Sequence, residues 1–172
     1  TTPNAEASPT VANQTTPLPT IGVRLNITPQ PTLTIVERNE VITAVREGNK
    51  LLREAVSLAN QDNLNNLEGV WQGKALTVVE DFATDLYDRY TQPFTVDFEY
   101  ISPPVVGDPV APGQVGVTSR EKWSYGGPSD VHEEAFEFIY TLRKQGDEWI
   151  ITWYSFRNLP VPVSTATPTN SE

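Results

Sequence analysis

A chain of 172 residues with 38% apolar residues and 15 prolines has material for one domain plus irregular ends, because its apolar residues concentrate in the middle. A formal net charge of −10 and a pI near 4.5 argue against nucleic acid or an anionic membrane as the main partner. With no cysteine there are no disulfides, thiolate zinc sites, iron–sulfur clusters or cysteine nucleophiles, and no apolar run approaches the ~18 residues of a membrane span.

The chain opens at Thr1 and contains no methionine, so it is expected to be a processed form or an excised piece of a longer chain, with any export or anchoring segment preceding Thr1. Residues 1–34 hold nine threonines and six prolines, and residues 159–172 form a similar Thr/Pro-rich tail. Such stretches resist helix and serve exported proteins as stalks and spacers, which points to an extracytoplasmic location: secreted, periplasmic or cell-surface. Asn13-Gln14-Thr15 and Asn26-Ile27-Thr28 match the acceptor pattern for glycosylation of the arm.

Within the arm, residues 20–28 alternate without error. Ile21, Val23, Leu25 and Ile27 are apolar, whereas Thr20, Gly22, Arg24, Asn26 and Thr28 are not. A period of two is the pattern of a half-buried strand. Pro19 stands before it, and Pro29 and Pro31 stop it. Such a strand needs a sheet edge, in its own domain or on a neighbouring molecule.

Helices come next. Thr34-Ile35-Val36-Glu37 fits a capping box, and Val41, Val45, Leu52, Ala55 and Ala59 fall on one helical stripe. Asn60-Gln61-Asp62-Asn63 ends this helix, Asp62 caps a short turn through Leu67, and Gly69 and Gly73 bracket Trp71 in an irregular joint. A second long helix spans about 74–90, with Leu76, Val79, Phe82, Ala83, Leu86 and Tyr90 facing one way. Pro93 closes it.

Four strands follow, at 95–101, 114–125, 131–144 and 149–156. A Pro/Gly-rich loop at 102–113, a turn at Gly126-Gly127-Pro128 and a hairpin at Gln145-Gly146-Asp147-Glu148 connect them. The last strand is apolar on both faces, Trp149, Ile151 and Trp153 alternating with Ile150, Tyr154 and Phe156. Such a strand is central or covered by another subunit. The order predicts an α+β fold: helices packed on one face of a curved four- to five-stranded antiparallel sheet, with an extended N-terminal arm. The domain runs over 35–158.

The run Asn63-Leu64-Asn65-Asn66-Leu67-Glu68-Gly69-Val70-Trp71-Gln72-Gly73-Lys74-Ala75-Leu76, between two helices and before four strands, resembles the nuclear transport factor 2-like superfamily. The resemblance implies a cystatin-like cone of helices against a bent sheet. Its members include isomerase- and dehydratase-like enzymes and non-catalytic modules, so the fold does not decide function. In the isomerase-like enzymes a carboxylate base in the cone faces a tyrosine and an acidic donor. Here the first helix carries no Tyr or Asp on its stripe, and Asp97 and Glu99 fall opposite Phe98 and so outside the cone. The dehydratase-like enzymes use histidines with an acid, and the single histidine, His132, reads as a surface residue beside Glu133 and Glu134. The resemblance is therefore to a non-catalytic member.

No catalytic residue, metal site or cofactor is assigned. Glu80, Asp81, Asp85 and Asp88 read as a solvated helix face, with Arg89 pairing Asp85. Trp71, Phe98, Tyr100, Phe138 and Tyr140 are the candidate lining of a cone pocket. Ile21, Val23, Leu25 and Ile27 on the arm, and Ile150, Tyr154 and Phe156 on the sheet, are the candidate contact residues. The function expected is a non-catalytic interaction module of an exported or surface-anchored assembly, its partner a second copy of itself or another exported protein. The alternative is a small-molecule-binding or sensory domain that uses the cone, and after it an isomerase- or dehydratase-like enzyme.

Overall fold

The computed structural model describes residues 32–58, 64–90, 94–127 and 130–161. The alternating arm segment at 20–28, the Asn60–Asn63 cluster, Ala59, Pro93 and most of the tail lie outside the described residues.

Helix α1 (Ile35–Leu58) begins as its capping box dictates. The Thr34 amide donates to Glu37 Oε2 at 3.0 Å, and the Glu37 amide donates to Thr34 Oγ1 at 3.2 Å. Lys144 Nζ donates to Glu37 Oε1 at 3.1 Å, and these bonds hold the Glu37 carboxyl below its usual range, the Thr34 amide contributing most. Thr34→Ala is expected to cost about 1 kcal/mol, read from urea unfolding. Because a depressed carboxylate pKa stabilises only above the unfolded value, this contribution fades as the pH drops below that range.

Val41, Val45, Leu52, Ala55 and Val56 of α1 are buried. A 3₁₀ turn (Asn66–Gly69) then leads to Trp71 and to α2 (Gly73–Arg89), which buries Ala75, Val79, Ala83 and Leu86. The strands are β1 (Thr95–Ala111), β2 (Gln114–Gly127), β3 (Asp130–Gln145) and β4 (Glu148–Leu159), antiparallel in the order β1-β2-β3-β4. Both helices pack on one face of this sheet, with α1 against β1 and α2 against β4. The β3–β4 hairpin closes through Gly146-Asp147, with Gly146 at φ +61° as such a tight turn requires.

Two expectations from the sequence are corrected. The stretch 102–113 is not a loop: β1 continues to Ala111, with register shifts after Tyr100, Ser102, Val106 and Pro109. Pro103, Pro104 and Pro109 lack a ladder donor, but β1 is an edge strand and its bulges absorb them. Nor do Ile150, Tyr154 and Phe156 share a face. Thr141 pairs with Trp153 but Leu142 with Ile151, so Thr152 is an extra residue that reverses the alternation. Ile151, Tyr154 and Phe156 consequently face the helices, opposite Leu142, Tyr140 and Phe138, while Trp153 turns to the outer face. Ile150, across from Arg143, is buried.

Candidate functional site

The inward-facing residues of β2 are Val115, Val117, Ser119, Glu121, Trp123 and Tyr125, all buried. This places a carboxylate in the core: Glu121 is 0% exposed. Asn49 Nδ2 donates to its Oε1 at 2.9 Å, the Tyr140 hydroxyl donates to the same oxygen at 3.0 Å, and Trp123 Nε1 donates to Oε2 at 2.9 Å. Tyr140 also lies 3.3 Å from Asn49 Oδ1, and Asn49 Nδ2 reaches the Tyr100 hydroxyl at 3.4 Å. The Ser119 hydroxyl makes no regular hydrogen bond, although it is close enough to favour the ionised carboxylate.

All these partners are neutral. Burial dominates, raising the Glu121 pKa, while the donors around it pull the other way. Burial, then the Glu121 charge, pushes the Tyr140 hydroxyl well above its ordinary range, and burial takes Tyr100 up to about 12. A protonated Glu121 can donate to Tyr140, which donates on to Asn49, closing a satisfied ring of neutral groups.

Beside this network lies a cavity of about 100 Å³. Its walls are Leu52, Trp71, Val79, Trp123, Phe138 and Tyr154, with Asn49 and Tyr140 as the polar groups at its inner end. Phe82, Tyr125, Phe136, Phe156 and Glu134 complete the lining. Phe82, Glu134 and Phe156 are exposed, so they mark its mouth. Tyr125 donates its hydroxyl to Glu134 there, and burial together with that acid raises the Tyr125 pKa. Glu121 stands behind Asn49, Tyr140 and Trp123 and contributes nothing to the cavity wall.

Of the five residues expected to line a pocket, Trp71, Phe138 and Tyr140 do so. Phe98 and Tyr100 do not. Phe98 stacks on Trp123 at 5.0 Å beneath the Arg53 guanidinium, and Tyr100 packs edge-on against Phe98. Tyr154 and Phe156, expected as contact residues of the sheet, line the cavity instead. His132 lies outside it, half-exposed, 3.5 Å from Asp130 and near the rings of Tyr90 and Tyr125. Asp97 pairs with Arg53, and Glu99 with Lys122. Among the described residues no group of His, Asp and Glu is placed to hold a metal ion.

Glu121 and Asn49 are the site residues that the sequence reading missed. The signal was present: Ser119 and Glu121 continue the alternation of Val115, Val117, Trp123 and Tyr125, and Asn49 falls four residues after Val45.

No family model and no curated protein sequence matches the chain. Solved structures do match in shape. An IcmL-like type IV secretion system protein from Legionella pneumophila aligns with a TM-score of 0.58 at 8% identity, covering 77% of this chain and 98% of that one. The hexachlorocyclohexane dehydrochlorinase LinA-type3 from Novosphingobium barchaimii gives 0.50 at 9% identity, covering 73% and 90%. A protein of the nuclear transport factor 2-like family from Streptomyces avermitilis gives 0.50 at 15% identity, covering 72% and 99%. The chain has the nuclear transport factor 2-like fold. At these identities the likeness extends to the fold alone.

Proposed function

We propose that this chain is a non-catalytic binding domain of an exported or surface-anchored protein, with the cone as receptacle for a small, uncharged, ring-sized guest. The observation that carries the reading is an aromatic-walled cavity of about 100 Å³ whose neighbouring carboxylate is sealed behind Asn49, Tyr140 and Trp123. General acid–base catalysis needs a titratable group within reach of the substrate, and Glu121 is cut off from the cavity. Glu134 reaches the mouth but accepts the Tyr125 hydroxyl and faces an acidic chain, which disfavours anions.

An apolar cavity of ~150 Å³ suffices for benzene, so this one, at about 100 Å³, encloses part of a ring or a branched aliphatic end, the rest of the guest projecting through the open mouth. Its hydrogen-bonding group would meet Asn49 and Tyr140. Among the described residues no helix is long and apolar enough to cross a membrane. The exported location rests on the Thr/Pro-rich ends.

Thermal unfolding with phenol, indole and benzoate tests the reading. Phenol or indole is expected to stabilise the protein by about 2.7 kcal/mol at a hundred times its Kd, and benzoate not at all. Val79→Phe, which fills the cavity, is expected to abolish the shift while leaving cooperative unfolding. Equal shifts in both proteins, or none up to the solubility limit, count against the cone as receptacle.

A second reading, association through the sheet, is favoured by the outer face. Val105, Ile139 and Trp153 are 64%, 49% and 44% exposed there, beside the ladder in which Glu137 bridges Arg120 and Arg157. Sedimentation of Ile139→Asp against the native chain tests it; identical monomer masses exclude self-association through this face.

A further inference from the structure

We propose that residues 20–28 add a fifth strand to the sheet, antiparallel to β4 along its free edge at 153–159, within the same chain. The inference goes beyond the cone and does not depend on its occupancy.

Among the described residues the sheet has two edge strands, β1 and β4. The β1 edge is blunted in the manner of exposed edges, by Pro103, Pro104, Pro109 and repeated register shifts. No continuous ladder can form on it beyond Tyr100, and its regular part, 95–100, is overlaid by Arg53, which pairs with Asp97 at 3.2 Å and sits over the Phe98 ring. The β4 edge differs along its length. Near its start it is already taken: the Gln72 amide donates to the Ile151 carbonyl at 2.9 Å, and the Ile151 amide to the Val70 carbonyl at 2.8 Å. Beyond Thr152, residues 153–159 pair with β3 in unbroken register and contain no proline. Among the described residues, no strand pairs with their outer side.

A groove of about 250 Å³ follows this open edge, between it and the first turns of α2. Lys74, Val78, Trp153, Tyr154 and Phe156 line it, with the Lys74 ammonium 4.7 Å from the Trp153 ring centroid. A straight, proline-free edge flanked by exposed aromatics is the kind that proteins cover.

The alternating segment fits that edge by pattern, length and reach. Its apolar row, Ile21, Val23, Leu25 and Ile27, would continue the helix-facing side beside Tyr154 and Phe156. Its polar row would lie beside Ser155 and Arg157. Pro19 and Pro29 bound it, as suits a new edge strand.

Helix α1 starts beside the beginning of β4, where Val36 shares a groove with Trp149 and Ile150 and Glu37 bonds Lys144. Seven extended residues from Thr28 to Ile35 span up to ~23 Å. The distance along β4 from Trp149 to Trp153 is only about 13 Å. The segment therefore reaches the open edge in the antiparallel sense without a second molecule.

Hydrogen exchange of the full chain at two protein concentrations, against Val23→Asp/Leu25→Asp, tests the placement. Amides of 20–28, and those of 153–159 that point away from β3, are expected to exchange at least roughly tenfold slower than in the double variant, at both concentrations. The variant should still unfold cooperatively, since the packed core lies elsewhere. Fast exchange of 20–28 in the native chain overturns the proposal. Slow exchange of 20–28 without a matching change at 153–159 overturns the edge assignment. Protection that grows with concentration alongside a dimer mass overturns the same-chain placement in favour of strand exchange between copies.

Discussion

Replacing Glu121 with leucine is expected to lower the unfolding free energy by about 3 kcal/mol, although it exchanges a carboxylate for an apolar side chain in a core. Asn49, Trp123 and Tyr140 each aim a donor at Glu121. A buried donor left without an acceptor costs about 1–3 kcal/mol. Tyr140 retains Asn49 Oδ1 at 3.3 Å, so its loss is partial, whereas Trp123 Nε1 has no second partner within the network. Urea unfolding at neutral pH measures the difference.

The glutamine variant separates charge from hydrogen bonding. Its carbonyl can accept from Trp123 while its amide donates to Tyr140, which donates in turn to Asn49 Oδ1. Asn49 Nδ2 then faces the new amide and keeps the Tyr100 hydroxyl, at 3.4 Å, as its acceptor. Folding raises the Glu121 pKa, so above the ordinary carboxylate range the native state binds more protons than the unfolded one. Stability from this group is then greatest in acid and declines as the pH rises through the folded pKa. Glu121→Gln should be level where the native protein declines, and the two curves should diverge most at neutral and alkaline pH. Parallel curves from pH 4 to 9 would show that Glu121 titrates normally.

Trp71→Ala is expected to cost about 3–5 kcal/mol, the range for emptying a buried aromatic site. Trp71 is 1% exposed and packs edge-on against Tyr140 and Tyr154, at 6.1 and 5.8 Å between centroids. Its indole nitrogen donates to the Gly48 carbonyl at 3.0 Å, and its backbone lies against Ile151 of β4. A methyl at Gly48 would stand 2.8 Å from Ile151 Cδ1 and 3.1 Å from Trp71 Nε1, so the bare backbone is what lets the ring approach α1. Because Trp71 is also a cavity wall, Trp71→Phe should weaken phenol binding in the melting assay even where the fold survives. A loss under 1.5 kcal/mol for Trp71→Ala, measured by urea unfolding, would mean that α1, α2 and β4 pack without it.

The shape matches carry less than these residues do. One fold serves a type IV secretion system protein and a dehydrochlorinase among its solved examples, so neither role transfers to this chain. The interior of this cone has its own chemistry. Its carboxylate is walled off by neutral donors, and its cavity presents an amide and a phenol to any guest.

Local signals settled much of the architecture before any tertiary contact was known. The Thr34–Glu37 box, the α1 and α2 stripes and the Gly146 hairpin appear where periodicity and turn chemistry place them, because each depends on residues within a few positions. The same rules misread 102–113, since whether proline is tolerated depends on which strand lies at the sheet edge. They also misplaced Tyr154 and Phe156, because one extra residue at Thr152 inverts every side chain beyond it and leaves no mark in composition. The alternation of β2 already put Glu121 on the inner face. Only the packing of α1 across the sheet set Asn49 against it, joining residues 72 positions apart in sequence. Where a strand or helix runs unbroken, the sequence states which side chains share a face; where a bulge falls, which faces meet, and whether a buried acid finds its donors there, are decided when helix and sheet close on each other.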